Sequence, residues 1–229
     1  MLADNSIKRD IGTPFLLKVV LKLRKITSHL FRPTLNNKMK SQLEGIKFTL
    51  LGNNCLPGVV YHDLGREFTS PTVNLAFDGE DFIKFLENPK HYFECDMEFF
   101  NWEGIDYPLA KIDDIEVRFV HYKTPEEAKQ KWHERAQRIV WDNIFIVATN
   151  HDGMCQDKWM ARFDKLPYKN KIMFVSKEYP QYDWAVLAPQ FKGRFQVRIM
   201  TGFANFFGKR YYEICFDIPK WIKEKSKEN

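Results

Sequence analysis

Five consecutive segments between residues 115 and 176 constrain this chain more than anything else in it. IEVRFVH (115–121) alternates, with Ile115, Val117 and Phe119 on one side and Glu116 and Arg118 on the other. TPEEAKQKWHERAQRI follows at once. Thr124 and Glu127 form a capping box, Pro125 takes the first helical position, and the helix is expected to run to about Ile139. NIFIVAT (143–149) reads as an apolar strand, CQDKWMARFDKL (155–166) as a second helix, and KIMFVS (171–176) as a third strand. Strand–helix–strand–helix–strand with short connections predicts an α/β fold: a parallel sheet with right-handed crossovers. Elsewhere, IKFTLL (46–51) reads as a short buried strand and 81–87 as a helix capped by Asp78. DWAVLA (183–188) and FQVRIM (195–200) are candidate strands, and IPKWIKEKSKEN is a closing amphipathic helix.

In such sheets ligands gather outside the carboxyl ends of the strands. If strand 46–51 joins the sheet, that rule selects Asn53-Asn54-Cys55, His121-Tyr122, Thr149-Asn150-His151-Asp152 and Ser176. Asn53 and Asn54 suit a sugar or phosphate, or a turn through left-handed backbone. His62, Asp63 and Arg66 lie within five residues and can supply a base, an orienting carboxylate and an anion clamp, or form a solvated loop. Ser70 offers a hydroxyl beside Pro71. His121 is a catalyst or a core histidine, and Asn150 and Asp152 bind ligand or make an Asp-Gly turn. Cys55 would need a base to act as a nucleophile. No local histidine signature accompanies it, so it reads as structural or incidental.

The charge is unevenly placed. Residues 1–40 hold nine Lys or Arg against Asp4 and Asp10, a net +7, which leaves the remaining chain at about −2. A nearly neutral body speaks against nucleic acid as a partner. Within 13–31, Leu16, Val19, Val20, Leu23, Ile26 and Leu30 form one stripe, with Lys18, Lys22, Lys25 and His29 opposite. Such a basic amphipathic helix can lie on an anionic membrane, dock on a membrane-bound synthase, or pack on the body. Residues 32–42 read as a linker, giving an N-terminal region 1–42 and one domain over 43–229. Cys55, Cys95, Cys155 and Cys215 stand far apart with no CxxC or CxxH, so neither a disulfide scaffold nor a metal site is indicated. A run long enough to span a bilayer is absent, as is a signal peptide, which points to the cytoplasm. P-loop, GxGxxG, GxSxG and HExxH are missing too, and no cofactor is indicated.

GNNCLPGVVYHDLG, FTSPTVNL, the long block from PLAKIDD to DNIFIV, and RFDKLPYKNKIMF together resemble a bacterial family, the domain of unknown function numbered nineteen-nineteen. The resemblance runs from about residue 46 to 190. The chain departs from it in carrying Leu56 and Pro57, where the family has an aromatic and a glycine. It implies a three-layer α/β/α fold with a mostly parallel or mixed sheet, and a role in exopolysaccharide, capsule or lipopolysaccharide synthesis. The function expected is therefore an enzyme acting on a sugar precursor at the inner membrane face. Glycosyl transfer from a nucleotide sugar comes first and acyl or other group transfer second, with a non-catalytic assembly factor as the alternative class. His62, His121 and Asp152 are the expected catalytic residues, and Asn53, Asn54, Arg66, Ser70 and Asn150 the binding residues.

Overall fold

A computed structural model describes residues 15–226. In chain order the elements are α1 (Phe15–Gln42), β1 (Thr49–Leu51), α2 (Leu56–Leu64), β2 (Ala76–Phe77), α3 (Gly79–Glu87), α4 (Pro89–Glu94), β3 (Met97–Phe100), β4 (Leu109–Ile112) and β5 (Ile115–Arg118). They continue with α5 (Pro125–Ala136), β6 (Ile144–Thr149), α6 (Asp157–Lys165), β7 (Lys171–Val175), β8 (Ala185–Leu187), α7 (Tyr211–Cys215) and α8 (Ile218–Lys225).

The fold is α/β, with one parallel and one antiparallel sheet of four strands each. The parallel sheet has the order β1-β6-β7-β8, and alternate residues along its strands enter two different cores. Leu50, Phe145, Val147, Ile172 and Phe174 meet Leu43, Val60, Tyr61, Tyr212 and Ile222 on the face covered by the end of α1, α2, α7 and α8. Leu51, Ile146, Ala148, Met173 and Val175 meet Phe82, Phe119, Trp132 and Phe163 on the face covered by α3, α5, α6 and the second sheet. Burial on both sides explains why these strands read as continuous apolar runs. Each buried Val, Leu, Ile, Phe or Met among them contributes about 1.5–3 kcal/mol of transfer free energy.

One expected strand changes sheets. β5 pairs antiparallel with β4 and β2, in the order β2-β5-β4-β3, rather than entering the parallel sheet. The cause is local. Asp113 adopts φ 53° between β4 and β5, and Ile112 pairs with Ile115 across that two-residue turn, so PLAKI and IEVR close as a hairpin. FQVRIM forms no strand, whereas DWAVLA supplies β8. Thr124 caps α5 by accepting from the Glu127 N–H (3.2 Å), and α5 ends at Ala136, short of Ile139.

Residues 32–42, expected to be a linker, are helical. α1 continues through Pro33 to Gln42, although proline removes a helical donor at a cost of about 3 kcal/mol. Tertiary contacts on one side of the helix offset that cost. The Ser28 hydroxyl donates to the Asn205 carbonyl (2.8 Å), and Met39 and the following Leu43 enter the core. Arg32 is buried against Asp63 of α2 (2.6 Å) and Glu213 of α7 (2.6 Å). Arg210 completes the cluster with two contacts to Asp63, at 2.6 and 3.0 Å. The opposite side of α1 faces outward: Leu23, Ile26 and Leu30 are 51, 51 and 73% exposed. The stripe thus does not pack on the described body. Side chains before Val19 lie outside the described residues, as do Thr13 and Pro14.

The guanidiniums of buried Arg32 and partly buried Arg210 converge on Asp63, so removing its charge leaves Arg210 without a carboxylate and Arg32 with Glu213 alone. Asp63→Asn is expected to lower the unfolding free energy by about 3–5 kcal/mol in urea titrations. Glu178→Ala, which breaks the exposed pair with Lys192, should leave the midpoint unmoved. A loss below about 1 kcal/mol for Asp63→Asn would show that the cluster does not anchor α1.

Candidate active site

The corner between β1 and α2 is built from four residues. A Cβ on Gly52 would lie 2.5 Å from both the Val147 carbonyl oxygen and Pro57, so only glycine lets the chain turn against β6 here. Buried Asn53 then bonds Thr149 twice: its Nδ2 donates to the Thr149 carbonyl (2.9 Å) and its Oδ1 accepts the Thr149 N–H (3.1 Å). Asn54 donates to Thr149 Oγ1 (2.7 Å) and accepts the Leu56 N–H (3.0 Å) at the start of α2. Cys55 follows as the N-cap residue, with Pro57 in the first turn. Among the described residues neither Asn53 nor Asn54 has positive φ, so the left-handed turn alternative does not hold.

His121 reaches this corner from the antiparallel sheet. Its backbone N–H donates to the Asn74 carbonyl (3.3 Å), and its Nε2 lies 3.1 Å from Cys55 Sγ. The next residue fixes the approach. Buried Tyr122 donates from its hydroxyl to the Val73 carbonyl (3.1 Å) and accepts from Arg135 (2.5 Å). A thiol and an imidazole at this separation form a nucleophile–base pair. Burial pushes the Cys55 thiol above its ordinary value, partly offset by its own backbone amide. At this distance the thiol proton can pass to His121 Nε2 as the sulfur attacks an electrophile. The positive end of α2 then faces the developing negative charge.

Cys55 opens onto a cleft of about 400 Å³, also lined by Asn54, Leu56, Thr149, His151 and the 196–201 segment. That segment is held from behind: Asn150 Oδ1 accepts the Val197 N–H (2.8 Å), and Asn150 Nδ2 reaches Ser176 Oγ (3.2 Å). Ile199 is 72% exposed and Met200 buried, giving the cleft an apolar wall. Arg198 lines it with no acidic partner among the described residues. His151 adds a second imidazole, its Nδ1 2.7 Å from Asp152 Oδ1. Asp152 also pairs with Arg118 (2.8 Å), and Arg118 with Asp78 (2.9 Å). Burial alone would raise the Asp152 carboxyl, yet His151 and Arg118 hold it below its ordinary value.

The remaining expected residues divide cleanly. Asn54 lines the cleft and His121 meets it through Cys55, while Asn53, Asn150 and Asp152 stand behind it as positioning groups. His62 does not line it: that side chain is 81% exposed on α2, 3.7 Å from Asp63, whose carboxylate is held by arginines. Arg66 is no anion clamp. It donates to the carbonyls of Ile46 (2.5 Å) and Leu43 and stacks over Phe48. Ser70 is buried, sharing a hydrogen bond with Thr72 Oγ1 (3.0 Å). Sequence reasoning set Cys55 aside because its histidine is 66 residues away. It also left His151 out of its expected site residues and passed over Arg198. The sheet rule had marked Cys55 and His151, but nothing local marked Arg198.

A raised thiol pKa fixes the sign of the pH response: below it the group is neutral and slow, above it thiolate and fast. Iodoacetamide modification of Cys55, followed by peptide mass, should accelerate with pH. Its midpoint should lie above the ~8.5 of an ordinary thiol. His121→Ala should slow the reaction near neutrality. A rate that is flat between about pH 6 and about pH 8 would instead mean a preformed thiolate.

The sequence profile of a family described as a domain of unknown function, DUF1919, matches residues 26–223. An uncharacterized protein of Haemophilus influenzae is 36% identical over 188 residues, covering 82% of this chain and 90% of that protein. The profile takes in the Cys55 corner, His121 and the 196–201 segment together, and the chain belongs to the DUF1919 family.

Proposed function

We propose that this protein transfers an acyl group through a Cys55 thioester to a hydroxyl of a surface-polysaccharide precursor. The Cys55–His121 contact at 3.1 Å carries the reading. Cys55 sulfur attacks the carbonyl carbon of an acyl thioester while its proton passes to His121 Nε2. The donor's carbon–sulfur bond breaks and the leaving thiolate takes that proton. An acceptor hydroxyl then attacks the acyl-cysteine carbonyl, giving its proton to His121. Cys55 leaves as thiolate and recovers the proton. Each transfer of this kind by a placed base contributes about 10²–10⁴-fold.

The apolar wall at Leu56, Ile199 and Met200 suits an acyl chain, and the uncommitted Arg198 suits an anionic group on donor or acceptor. The polysaccharide acceptor rests only on the role in surface-polysaccharide synthesis that the sequence resemblance implies. Glycosyl transfer has less support, because Asn53 and Asp152 are committed within the protein and His62 stands outside the cleft.

Incubation with short- and medium-chain acyl thioesters, quenched and read by intact mass and peptide mapping, should show one acyl adduct on Cys55. Cys55→Ala should show none, and a glycan hydroxyl should discharge it. If no donor labels Cys55 although iodoacetamide does, the weight passes to a binding role through the exposed side of α1.

A further inference from the structure

A second cluster, sharing no residue with the Cys55 cleft, joins three ligand-type side chains from two parts of the antiparallel half. His91 lies on α4, and Cys95 is its C-cap residue four positions on, which puts both on one side of the helix end. Asp113 comes from the β4–β5 turn, where its φ of 53° presents it toward α4. His91 Nε2 is 2.7 Å from Asp113 Oδ2 and 3.5 Å from Cys95 Sγ. All three donor atoms lie within 4.8 Å of one another.

We infer that His91, Cys95 and Asp113 form a site for a divalent zinc-like cation. One imidazole nitrogen, one thiolate and one carboxylate oxygen make a borderline donor set that suits Zn²⁺ better than Mg²⁺ or Ca²⁺. With metal–ligand bonds of ~2.0–2.3 Å, tetrahedral ligand atoms stand roughly 3.3–3.7 Å apart. The sulfur–nitrogen separation already meets this, and the nitrogen–oxygen pair must open by less than about 1 Å. The frame is fixed independently of any metal. Tyr92 donates to Asp114 Oδ1 (2.9 Å) and Lys84 pairs with Asp114 (3.0 Å), docking the turn on α3 and α4. All three ligands border solvent, so an ion can enter and water can take the fourth position. Binding clips the helix end to the hairpin and releases the thiol proton. In the sequence the signal is the spacing of His91 and Cys95, four residues apart on a helix, which a search for CxxC and CxxH passes over.

The test uses the full chain carrying Cys55→Ser, which removes the other His–Cys contact. Zn²⁺ is titrated against a chromogenic chelator, and Co²⁺ is used to read thiolate-to-metal absorption. The expected result is one equivalent bound, with a thiolate–cobalt band. Cys95→Ser or His91→Gln in the same background should weaken zinc by more than the ~10–100-fold typical of losing a second-shell partner, and Cys95→Ser should abolish the band. Melting curves without metal check that these substitutions leave the fold intact, Cys95 being partly buried against the core. Absence of binding, or affinity unchanged in both variants, would reduce the cluster to an ordinary His91–Asp113 ion pair and overturn the assignment.

Discussion

The side-chain amide of Asn53 takes the place of a peptide group in the parallel ladder. β1 pairs with β6 as far as Leu51 opposite Ile146, after which the main chain turns away into α2. Thr149 would then have a buried N–H and carbonyl without strand partners, a penalty of about 1–3 kcal/mol for each. Asn53 supplies both missing bonds, and Asn54 takes the Thr149 hydroxyl. The chain can leave the sheet at this point because the amide stays behind. Everything at the cleft follows from that departure: the close turn at Gly52, the helix start at Leu56 and the exposure of Cys55 between them.

The two halves of the molecule meet at the same corner. β1, α2 and the 196–201 segment frame one side, and the antiparallel sheet delivers His121 from the other. The parallel strands follow the order β1-β6-β7-β8 without reversal, so the cleft does not depend on a switch in strand order. It depends on one chain crossing from sheet to sheet beside Asn74. The charged residues are used differently in the two places. The Arg32–Asp63–Arg210–Glu213 cluster spends its charge holding α1 and α7 to α2. Among the described residues the Cys55–His121 pair is left outside any ion-pair network, and burial raises the thiol above its ordinary value.

What the sequence made legible follows from range. β6, α6 and β7 were readable because their apolar periodicity is local and their connections short. So was the rim, since the ends of β1 and β6 follow directly from those strands. β5 was misplaced because the turn that claims it, Asp113-Asp114, carries no glycine to advertise a hairpin. His62, Asp63 and Arg66 looked like a constellation because they are neighbours in sequence. Adjacent residues on a helix point about 100° apart, so His62 faces solvent while Asp63 faces the core. Residues 32–42 read as a linker, and the contacts that carry α1 through Pro33 come from residues about 30 and 180 positions away. The Cys55–His121 contact has the same character: nothing near either residue announces the other.

The central claim is that His121, and not the sequence-adjacent His62, activates Cys55. The direct measurement is the single-turnover rate of Cys55 acylation by a thioester near neutral pH. It would be compared among the parent protein, His121→Ala and His62→Ala. The account predicts a loss of about 10²–10⁴-fold for His121→Ala and an unchanged rate for His62→Ala. Equal rates in the parent and His121→Ala, or a comparable loss in His62→Ala, would contradict it.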